Sequence, residues 1–328
     1  MVLLASIRVQ AQFNFTTNNG AITITGYTDT NPVVIIPGST NGYPVTVIGA
    51  NVFYNSTITS VTIPDSVVSI GSAVFGFCNR LTSVAIPGNV TNISDRPFLG
   101  CSGLTNIIVN ATNPSYTSAG GVLFNKLLTS LIQYPGGLAG SYTIPASVTN
   151  IGLEAFALCS GLTSVAISSG VTNINSAFYN CSSLTNVTIP SSVSAFNGYD
   201  FAYCVNLHKV IFPGNAPLVE GRPGSADSTV FYGETGTVYC PLEATGWSSS
   251  FGGWPTATYK LPPPTVALST YSNLPTLFFP TATGTNYVLQ MTTNLAASNW
   301  VTVTITNGYS VSGFVITNPP PNAFFRLY

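Results

Sequence analysis

The pattern of apolar and polar residues repeats about every 23 residues through the middle of the chain. Each unit begins with a segment such as LTSVAIP at 81–87, in which apolar and polar residues alternate. Alternation with a period of two is typical of a half-buried β-strand. Equivalent segments begin at Ile58, Leu81, Leu104, Leu162, Leu184 and Leu207, and we place a further unit at Leu128, 24 residues after Leu104. The pattern therefore predicts a stack of short strands, one for each unit.

The second half of each unit carries Val-x-x-Ile-Gly, then Ala-Phe, then a cysteine three residues after the phenylalanine. We predict that these residues form a buried ladder of Phe75, Phe98, Phe156, Phe178 and Phe201 with Cys78, Cys101, Cys159, Cys181 and Cys204. Gly71 and Gly152 are expected to open a short helix or turn. A fixed period in the twenties is typical of a solenoid, whose coils are stable only when they stack on one another.

The complete unit, IP-x-S-V-x-x-I-G-x-x-A-F-x-x-C-x-x-L-T-x-V-x-IP, resembles the BspA-type (Treponema-like) leucine-rich repeat of bacterial surface and secreted proteins. The resemblance extends over residues 45–213 and includes an insertion at 110–143. It implies a leucine-rich repeat solenoid in which a parallel β ladder alternates with short helices or turns. It also implies a role in adhesion or protein binding, and it brings no catalytic residues with it.

The segments outside the repeats predict caps and a second module. We divide the chain into a residual signal peptide (1–12), an N-terminal β cap with the first coil (13–56), the repeats (57–213), a C-terminal cap (214–261), a proline hinge (262–264) and a small β-sandwich-like module (265–328). The signal peptide is inferred from an apolar run that ends in Val9-Gln10-Ala11, a small-x-small pattern that suits signal peptidase. The alternative for this run is a first strand. We expect a secreted or cell-surface protein.

The composition excludes several classes of partner. Charged residues make up only 5% of the chain, and eight basic against nine acidic residues give a net charge of −1. Proteins that bind nucleic acid present a basic surface, so we predict no nucleic-acid partner. No run approaches the roughly 18 consecutive apolar residues of a membrane span, so we predict no transmembrane segment. A near-neutral surface gives little repulsion between copies, which favours self-association.

The sequence offers little for catalysis. Its one histidine, His208, lies beside Lys209 at a strand position that we expect to face solvent, and no acidic partner for a catalytic base is evident. No nucleophile-elbow, zinc-binding or phosphate-binding motif occurs, and the nine carboxylates are scattered. We therefore predict no enzyme activity, no metal and no cofactor.

The periodic cysteines leave three hypotheses open. Zinc sites use closely spaced ligand pairs, which a spacing of 22 or 23 residues does not supply. Stacked coils bring neighbouring thiols within reach of a disulfide, which an exported protein could form. The third hypothesis, a column of buried free thiols, agrees with the general burial of cysteine and is the one we favour. Cys240 falls outside the period.

Candidate binding residues come from the outward positions of the strands. A first column contains Thr59, Thr82, Thr105, Thr129, Thr163 and Thr185, extended by Asn186, His208 and Lys209, and a second contains Thr62, Ala85, Ile108, Ala166 and Thr188. Threonine is also a favourable residue of any exposed strand, so the column by itself does not demonstrate binding. Alanine and isoleucine in the second column argue against ice binding. The aromatic side chains of Trp247, Trp254 and Tyr259 could stack on sugars, although we expect them to pack over the last coil.

These observations favour a non-catalytic recognition protein that binds a protein or a glycan through the exposed strands. A self-assembling structural scaffold of the cell envelope is the alternative from a different class. An accessory role beside a carbohydrate-active enzyme is a third hypothesis.

Overall fold

A computed structural model of the chain describes residues 12–219, 222–223 and 229–259, and six strand segments beyond them at 267–271, 274–278, 289–292, 301–303, 314–315 and 324–327. Within these residues the chain forms thirty β-strands and no helix, and the repeats build a β-solenoid of about eight turns. The described part of the chain accordingly contains no apolar helix that could cross a membrane. The predicted signal peptide up to residue 11 and the predicted hinge at 262–264 lie outside the described residues.

The strands are short and follow one another closely along the chain. The first half contains β1 (Phe13–Asn18), β2 (Ala21–Tyr27), β3 (Val33–Ile35), β4 (Ser39–Thr40), β5 (Tyr43–Ile48), β6 (Ser60–Thr62), β7 (Ser69–Ile70), β8 (Ser83–Ile86), β9 (Asn92–Ile93), β10 (Asn106–Val109), β11 (Tyr116–Ala119), β12 (Val122–Asn125) and β13 (Ser130–Gln133). The second half contains β14 (Gly140–Thr143), β15 (Asn150–Ile151), β16 (Leu162–Ala166), β17 (Asn186–Thr188), β18 (Ala195–Phe196), β19 (Lys209–Ile211), β20 (Leu218–Val219), β21 (Arg222–Pro223), β22 (Thr237–Pro241), β23 (Ser250–Phe251) and β24 (Trp254–Tyr259). The last six are β25 (Ala267–Tyr271), β26 (Leu274–Phe278), β27 (Leu289–Thr292), β28 (Val301–Val303), β29 (Phe314–Val315) and β30 (Phe324–Leu327).

One parallel ladder, which we call the main ladder, contains the strands that open each unit. It joins β3 to β6, β8 to β10, and β14 through β16, β17, β19 and β22 to β24. Residues of the same kind lie side by side in it, as Val165, Val187 and Val210 do in β16, β17 and β19. All three valines are buried, because successive side chains of a strand alternate between the interior and the solvent. This ladder confirms the predicted leucine-rich repeat solenoid.

A second ladder contains the Val-x-x-Ile segments. It joins β2, β5, β7 and β9 in the first half of the solenoid, and it joins β13 to β15 and β18 to β20 in the second half. Ile48, Ile70 and Ile93 lie side by side in this ladder. Most coils therefore contribute one strand to each ladder, although the segment after β16 contributes only the isolated bridge between Asn173 and Ala195. The two ladders enclose the core between them.

Of the two expected forms, a short helix or a turn, the described residues contain the turn, and it brings each core phenylalanine into the interior. In this turn the backbone N–H groups donate to the next coil, as Phe75 N does to Pro97 O at 3.0 Å. A helix would use such N–H groups for its own carbonyls four residues earlier. Left-handed residues recur four positions apart, for example Glu154 (φ 54°) and Leu158 (φ 63°), and they reverse the chain direction within the turn.

Stacked aromatic rings run along the core. Phe53, Phe75 and Phe98 form one stack, with ring centroids 5.2 and 5.4 Å apart. A second stack runs through Tyr134, Phe156, Phe178, Phe201, Phe231 and Trp254, with neighbouring centroids between 4.3 and 5.9 Å apart. Two separate buried clusters meet at the insertion, where Leu123 packs in the first cluster and Val122 and Phe124 pack in the second. Strand β12 therefore joins the two halves of the core.

The repeat unit placed at Leu128 has the wrong register. The strand that follows Leu128, β13, belongs to the second ladder, where Leu131 lies beside Ile151. The main-ladder strand of this coil is β14, in which Tyr142 lies beside Val165. The antiparallel hairpin β11–β12 comes before β13 and takes the place of the usual connection. An alternating apolar pattern suits a strand of either ladder, so the sequence alone did not distinguish them.

Additional strands extend both ends of the solenoid. At the N-terminal end, β1 and β2 form an antiparallel hairpin, and β2 pairs with β5 of the second ladder. At the C-terminal end, β22 and β24 continue the main ladder beyond the last repeat. Further along, β25, β26 and β29 form one antiparallel sheet, and β27, β28 and β30 form another. The packing of these two sheets into a sandwich stays a prediction.

Candidate binding face

The outward positions of the main ladder form one continuous surface, which we call the strand face. In β8, Val84 points into the core, whereas Ser83 and Ala85 are exposed. The neighbouring strand β10 repeats this arrangement in register, with Asn106 beside Ser83 and Ile108 beside Ala85. Alternation along each strand therefore selects the outward side chains, and the register between strands aligns them in columns.

The first predicted column is built mainly from threonines on successive coils. Thr82, Thr105, Thr163, Thr185 and His208 are exposed, and Thr59 is partly buried. The hydroxyl groups of Thr105 and Thr185 each donate to the backbone carbonyl of the preceding threonine, Thr82 O and Thr163 O, at 3.3 Å. A hydroxyl that donates its hydrogen in this way keeps its oxygen lone pairs for other partners. The hydroxyl oxygens of Thr105 and Thr185 therefore act as hydrogen-bond acceptors on this face.

Thr129 does not belong to this column, because the alignment that placed it there followed the wrong ladder. Its carbonyl accepts a hydrogen bond from Thr149 N at 2.9 Å on the second ladder, and its hydroxyl accepts one from Asn125 Nδ2 at 2.8 Å. The corresponding part of the main ladder is Gly140, which pairs with Leu162, and Thr163 lies in a bulge next to this pair. The threonine column is therefore interrupted at the coil that contains the insertion.

The second predicted column lies next to the first and includes apolar side chains. Its predicted members are Thr62, Ala85, Ile108, Ala166 and Thr188, and all of them are exposed. Thr143, which the sequence analysis missed because it aligned this coil on Leu128, lies beside Ala166. Ile108 is 47% exposed. The strand face is thus a mixture of hydroxyl, amide and aliphatic groups.

Asn186, His208 and Lys209 lie where the sequence placed them, at the C-terminal part of the strand face. Asn186 pairs with Lys209 across the ladder, and Asn186 Nδ2 donates to the Thr185 hydroxyl at 3.1 Å. His208 Nδ1 lies 3.2 Å from the backbone oxygen of Thr235. A carboxylate partner orients a catalytic imidazole and stabilises its protonated form. A neutral backbone carbonyl does not provide that charge, so this contact does not make His208 a general base.

The six cysteines have no catalytic or metal-binding geometry in the structure. All are free thiols and all are buried. Burial raises the pKa of the Cys78 thiol to about 11, and it raises the pKa values of Cys101, Cys159 and Cys181 as well. Within the described residues, no group of three or more His, Cys, Asp or Glu side chains could hold a metal ion. These thiols are therefore protonated and shielded at neutral pH.

The periodic thiols instead donate hydrogen bonds between coils. Cys101 Sγ lies 2.8 Å from Phe75 O, and Cys204 Sγ lies 3.0 Å from Phe178 O. Each of these two thiols reaches a backbone carbonyl of the preceding coil. Cys240, which the period did not explain, lies on β22, where its Sγ is 3.8 Å from Ala257 O of β24.

The aromatic residues of the C-terminal cap pack against the last coils. Trp254 is only 3% exposed and stacks on Phe231 with ring centroids 4.3 Å apart. Trp247 packs edge-on against Phe212 at 5.0 Å, and its indole N–H donates to Gly214 O. The hydroxyl of Tyr259 donates to Phe212 O at 3.3 Å. These contacts leave the ring face of Trp254 unavailable for sugar stacking.

Asp200 is a buried carboxylate that the sequence did not single out. It replaces the alanine that precedes the core phenylalanine, and it accepts hydrogen bonds from the backbone N–H groups of Ser176 and Asn197. Burial raises its pKa to about 7, although these two hydrogen bonds act in the opposite direction. No described cation or nucleophile pairs with it, so its role is to hold two turns together.

A small cleft opens on the turn side at the insertion. In the coil of β13 the core aromatic residue, Tyr134, comes three positions after Leu131. In a regular coil the distance is longer, since Phe75 comes five positions after Ile70. Beside this shorter turn lies a cleft of about 150 Å³, lined by segments 93–96 and 130–132 together with Asn150, Gly152 and Leu153. Arg96 and Glu154 form an ion pair of 3.2 Å across the gap.

The sequence did not predict a group of tyrosines on the turn side. Tyr179, Tyr203 and Tyr232 come from three successive coils and form a chain of edge-to-face contacts, which we call the tyrosine zigzag. They occupy the two positions that follow the core phenylalanine, which the repeat pattern leaves variable. The signal that could have found them is the recurrence of tyrosine at these two positions near the C-terminal end of the array.

Comparisons with known proteins agree with this architecture. The sequence profile of the BspA type leucine rich repeat region matches residues 44–133 and 138–221, with six copies. A search of curated protein sequences found no match.

Among solved structures, the chain resembles a leucine-rich repeat protein from Eubacterium ventriosum, with 22% identity over 72% of this chain and 78% of that one and a TM-score of 0.45. A leucine rich cell surface protein from Faecalibacterium prausnitzii is 22% identical over 62% of this chain and 87% of that one, with a TM-score of 0.34. The leucine rich repeat protein of T. pallidum is 24% identical over 62% and 83% of the two chains, with a TM-score of 0.36. Since the family profile covers more than half of the sequence, the chain belongs to the BspA-type leucine-rich repeat family.

Proposed function

We propose that the protein is a non-catalytic recognition protein, exported to the cell surface or beyond, that binds a protein or a glycan through the strand face. One observation carries the proposal: β16, β17 and β19 hold their polar outward residues in register, with Ser164 beside Asn186 and Asn186 beside Lys209. A repeated row of hydrogen-bonding groups at a spacing of about 4.8 Å suits an extended ligand. Repeat proteins present their binding surfaces in this way.

The chemistry of the strand face limits the ligand class. Among the outward side chains of β6, β8, β10, β14, β16, β17 and β19, only Lys209 is charged, and it lies over the Tyr239 ring at 5.1 Å. A ligand would therefore be recognised by hydrogen bonds and shape rather than by charge. Neutral glycans and uncharged protein surfaces meet this requirement, whereas nucleic acids do not.

The test is a screen of the protein against a glycan and protein array, followed by substitution of the strand face. Thr105→Glu and Thr163→Glu place charges on exposed positions, so both should abolish binding of any array ligand while the unfolding midpoint stays unchanged. The matched control is Thr149→Glu. Its hydroxyl makes the same type of bond, to Thr129 O at 3.4 Å, but it lies on the second ladder. Equal affinity of Thr105→Glu and the unaltered protein for the array ligand would refute the strand face as the site.

A structural scaffold is the second candidate, and a specific observation favours it. Strand β3 pairs only with β6 among the described strands, and its outward side chains Val33 and Ile35 are 53% and 65% exposed. An unpaired strand edge with exposed apolar side chains is a surface on which another chain can pair. Light scattering across a concentration series distinguishes the two candidates. Concentration-dependent polymers together with no array ligand would support the scaffold and refute recognition.

A further inference from the structure

The tyrosine zigzag lies on the turn side of the solenoid, away from the strand face. The ring centroids of Tyr179 and Tyr203 are 5.5 Å apart with planes at 78°, and those of Tyr203 and Tyr232 are 5.5 Å apart with planes at 76°. Tyr199 flanks the zigzag, 6.3 Å from Tyr232. Tyr199, Tyr203 and Tyr232 are 47%, 38% and 49% exposed. Large aromatic side chains with this exposure are typical of interaction surfaces.

The backbone of three coils fixes the positions of these rings. Asn180 N donates to Ala202 O, and Tyr203 N donates to Tyr232 O, so Tyr179, Ala202 and Tyr232 occupy one column and Tyr203 lies in the next. In the first column Ala202 lies between two tyrosines, and in the second Tyr203 lies between Asn180 and Gly233. Each tyrosine ring therefore has a smaller residue beside it in its own column. Gly233 follows this rule, since a Cβ there would lie 3.2 Å from the Tyr203 ring. Backbone hydrogen bonds between the coils therefore set the spacing of the two columns.

The zigzag is aromatic and uncharged, and its phenol groups can donate hydrogen bonds. The intervening residues Asn180, Ala202 and Gly233 carry no charge. None of the phenol oxygens of Tyr179, Tyr203 and Tyr232 bonds to another residue in the described part of the chain. Burial, and after it the neighbouring phenols, raise the pKa of Tyr203, so its hydroxyl stays protonated at neutral pH and can donate.

The spacing of the rings selects one peptide conformation. Tyr179 and Tyr232 occupy equivalent positions two coils apart, and two strand spacings amount to about 9.6 Å. A polyproline II helix returns to the same side every three residues, about 9.3 Å. An extended β-strand returns after about 6.8 Å, so its side chains do not match the two rings. Successive sugar rings need a flat platform, which rings at 76° and 78° to each other do not offer.

We propose that the tyrosine zigzag binds a proline-rich, uncharged segment of a partner protein in the polyproline II conformation. Prolines three residues apart pack beside Tyr179 and Tyr232, and the ring of Tyr203 separates them. The phenol hydroxyls donate to the peptide carbonyls, which lack internal hydrogen bonds in this helix. Aromatic-lined grooves recognise proline-rich segments in this manner because the ligand loses little conformational entropy on binding. This site goes beyond the proposed function of the strand face and does not depend on it.

The probe is a fluorescein-labelled nonaproline peptide, and the readout is fluorescence anisotropy on the full chain. We expect saturable binding with a Kd below about 1 mM. Tyr203→Ser and Tyr232→Ser should each weaken it at least tenfold and leave the urea unfolding midpoint unchanged. The matched control is Tyr54→Ser. Tyr54 is 49% exposed and contacts Phe77 edge-on at 5.4 Å, but Leu99 occupies the position equivalent to Tyr232, so no third ring continues the row.

Three results of the peptide titrations would overturn the proposal. They are the absence of saturable binding, equal binding by a nine-residue glycine-serine peptide, and unchanged affinity of a folded Tyr203→Ser variant. Displacement of the peptide by a neutral oligosaccharide would also overturn it and would assign the zigzag to a glycan. Thr105→Glu should retain nonaproline binding. The two proposed sites can therefore fail separately.

Discussion

Substitution Phe178→Ala removes one ring from the middle of the longer aromatic stack. Phe178 is fully buried, and its ring lies 5.0 Å from that of Phe156 and 5.1 Å from that of Phe201. Truncation of a buried phenylalanine costs about 3–5 kcal/mol in unfolding free energy, because it loses apolar burial and leaves a cavity. Within that sum, each lost ring contact contributes about 0.5–1.5 kcal/mol. We therefore expect a loss of about 3–5 kcal/mol.

Equilibrium urea unfolding followed by circular dichroism measures this loss. Coils of a solenoid stabilise one another mainly through nearest neighbours, so the variant should also unfold over a broader range, as the two sides of the defect separate. Phe178→Leu, which keeps most of the volume, should cost only about 1–2 kcal/mol. Leu127→Ala is the surface control, since Leu127 is 77% exposed, and it should change stability by less than about 0.5 kcal/mol. A loss below about 1.5 kcal/mol for Phe178→Ala would refute the view that the ring stack holds the coils together.

Three further predictions address the backbone contacts, the buried carboxylate and the thiols. Gly71→Ala should destabilise the protein by about 1–3 kcal/mol in thermal or urea unfolding, because a Cβ at this position would lie 2.6 Å from Ala50 N. Gly38→Ala is the control and should be tolerated, since a Cβ there would lie 3.8 Å from the nearest atom. Asp200 has a folded-state pKa of about 7 against 3.8 in the free side chain, so the folded state holds the proton more tightly. Stability should therefore decrease as the pH rises from about 4 to about 7, and Asp200→Ala should abolish this slope in unfolding curves measured across that range. All six thiols should react with an aromatic disulfide reagent only after denaturation, and rapid labelling of any thiol in the native protein would contradict their burial.

The repeat architecture could be read from the sequence because its signals are local. Each strand alternates inward and outward residues, so Val84 was assigned to the interior and Ala85 to the solvent without knowledge of the neighbouring coils. The constant step between units then stacked equivalent residues, which placed Phe178 and Cys181 in columns. A period is a property of the chain alone, and every coil repeats it.

Features that depend on contacts between coils could not be read in this way. The pattern around Leu128 fits both ladders, and only the pairing of Leu131 with Ile151 assigned the segment to the second one. This correction removed Thr129 from the strand face and added Thr143. The sequence pattern allowed a helix or a turn before each core phenylalanine, and the turn forms because the N–H groups of residues such as Phe75 find acceptors in the next coil.

The sequence by itself determined the family, the coil, the buried columns and most of the outward threonines. The tertiary structure decided where the ladder is interrupted, how Asp200 is buried and how three tyrosines from separate coils come together. The physical reason is the same throughout. Alternation and period depend on neighbours along the chain, whereas register, cavities and side-chain clusters depend on which coil lies beside which.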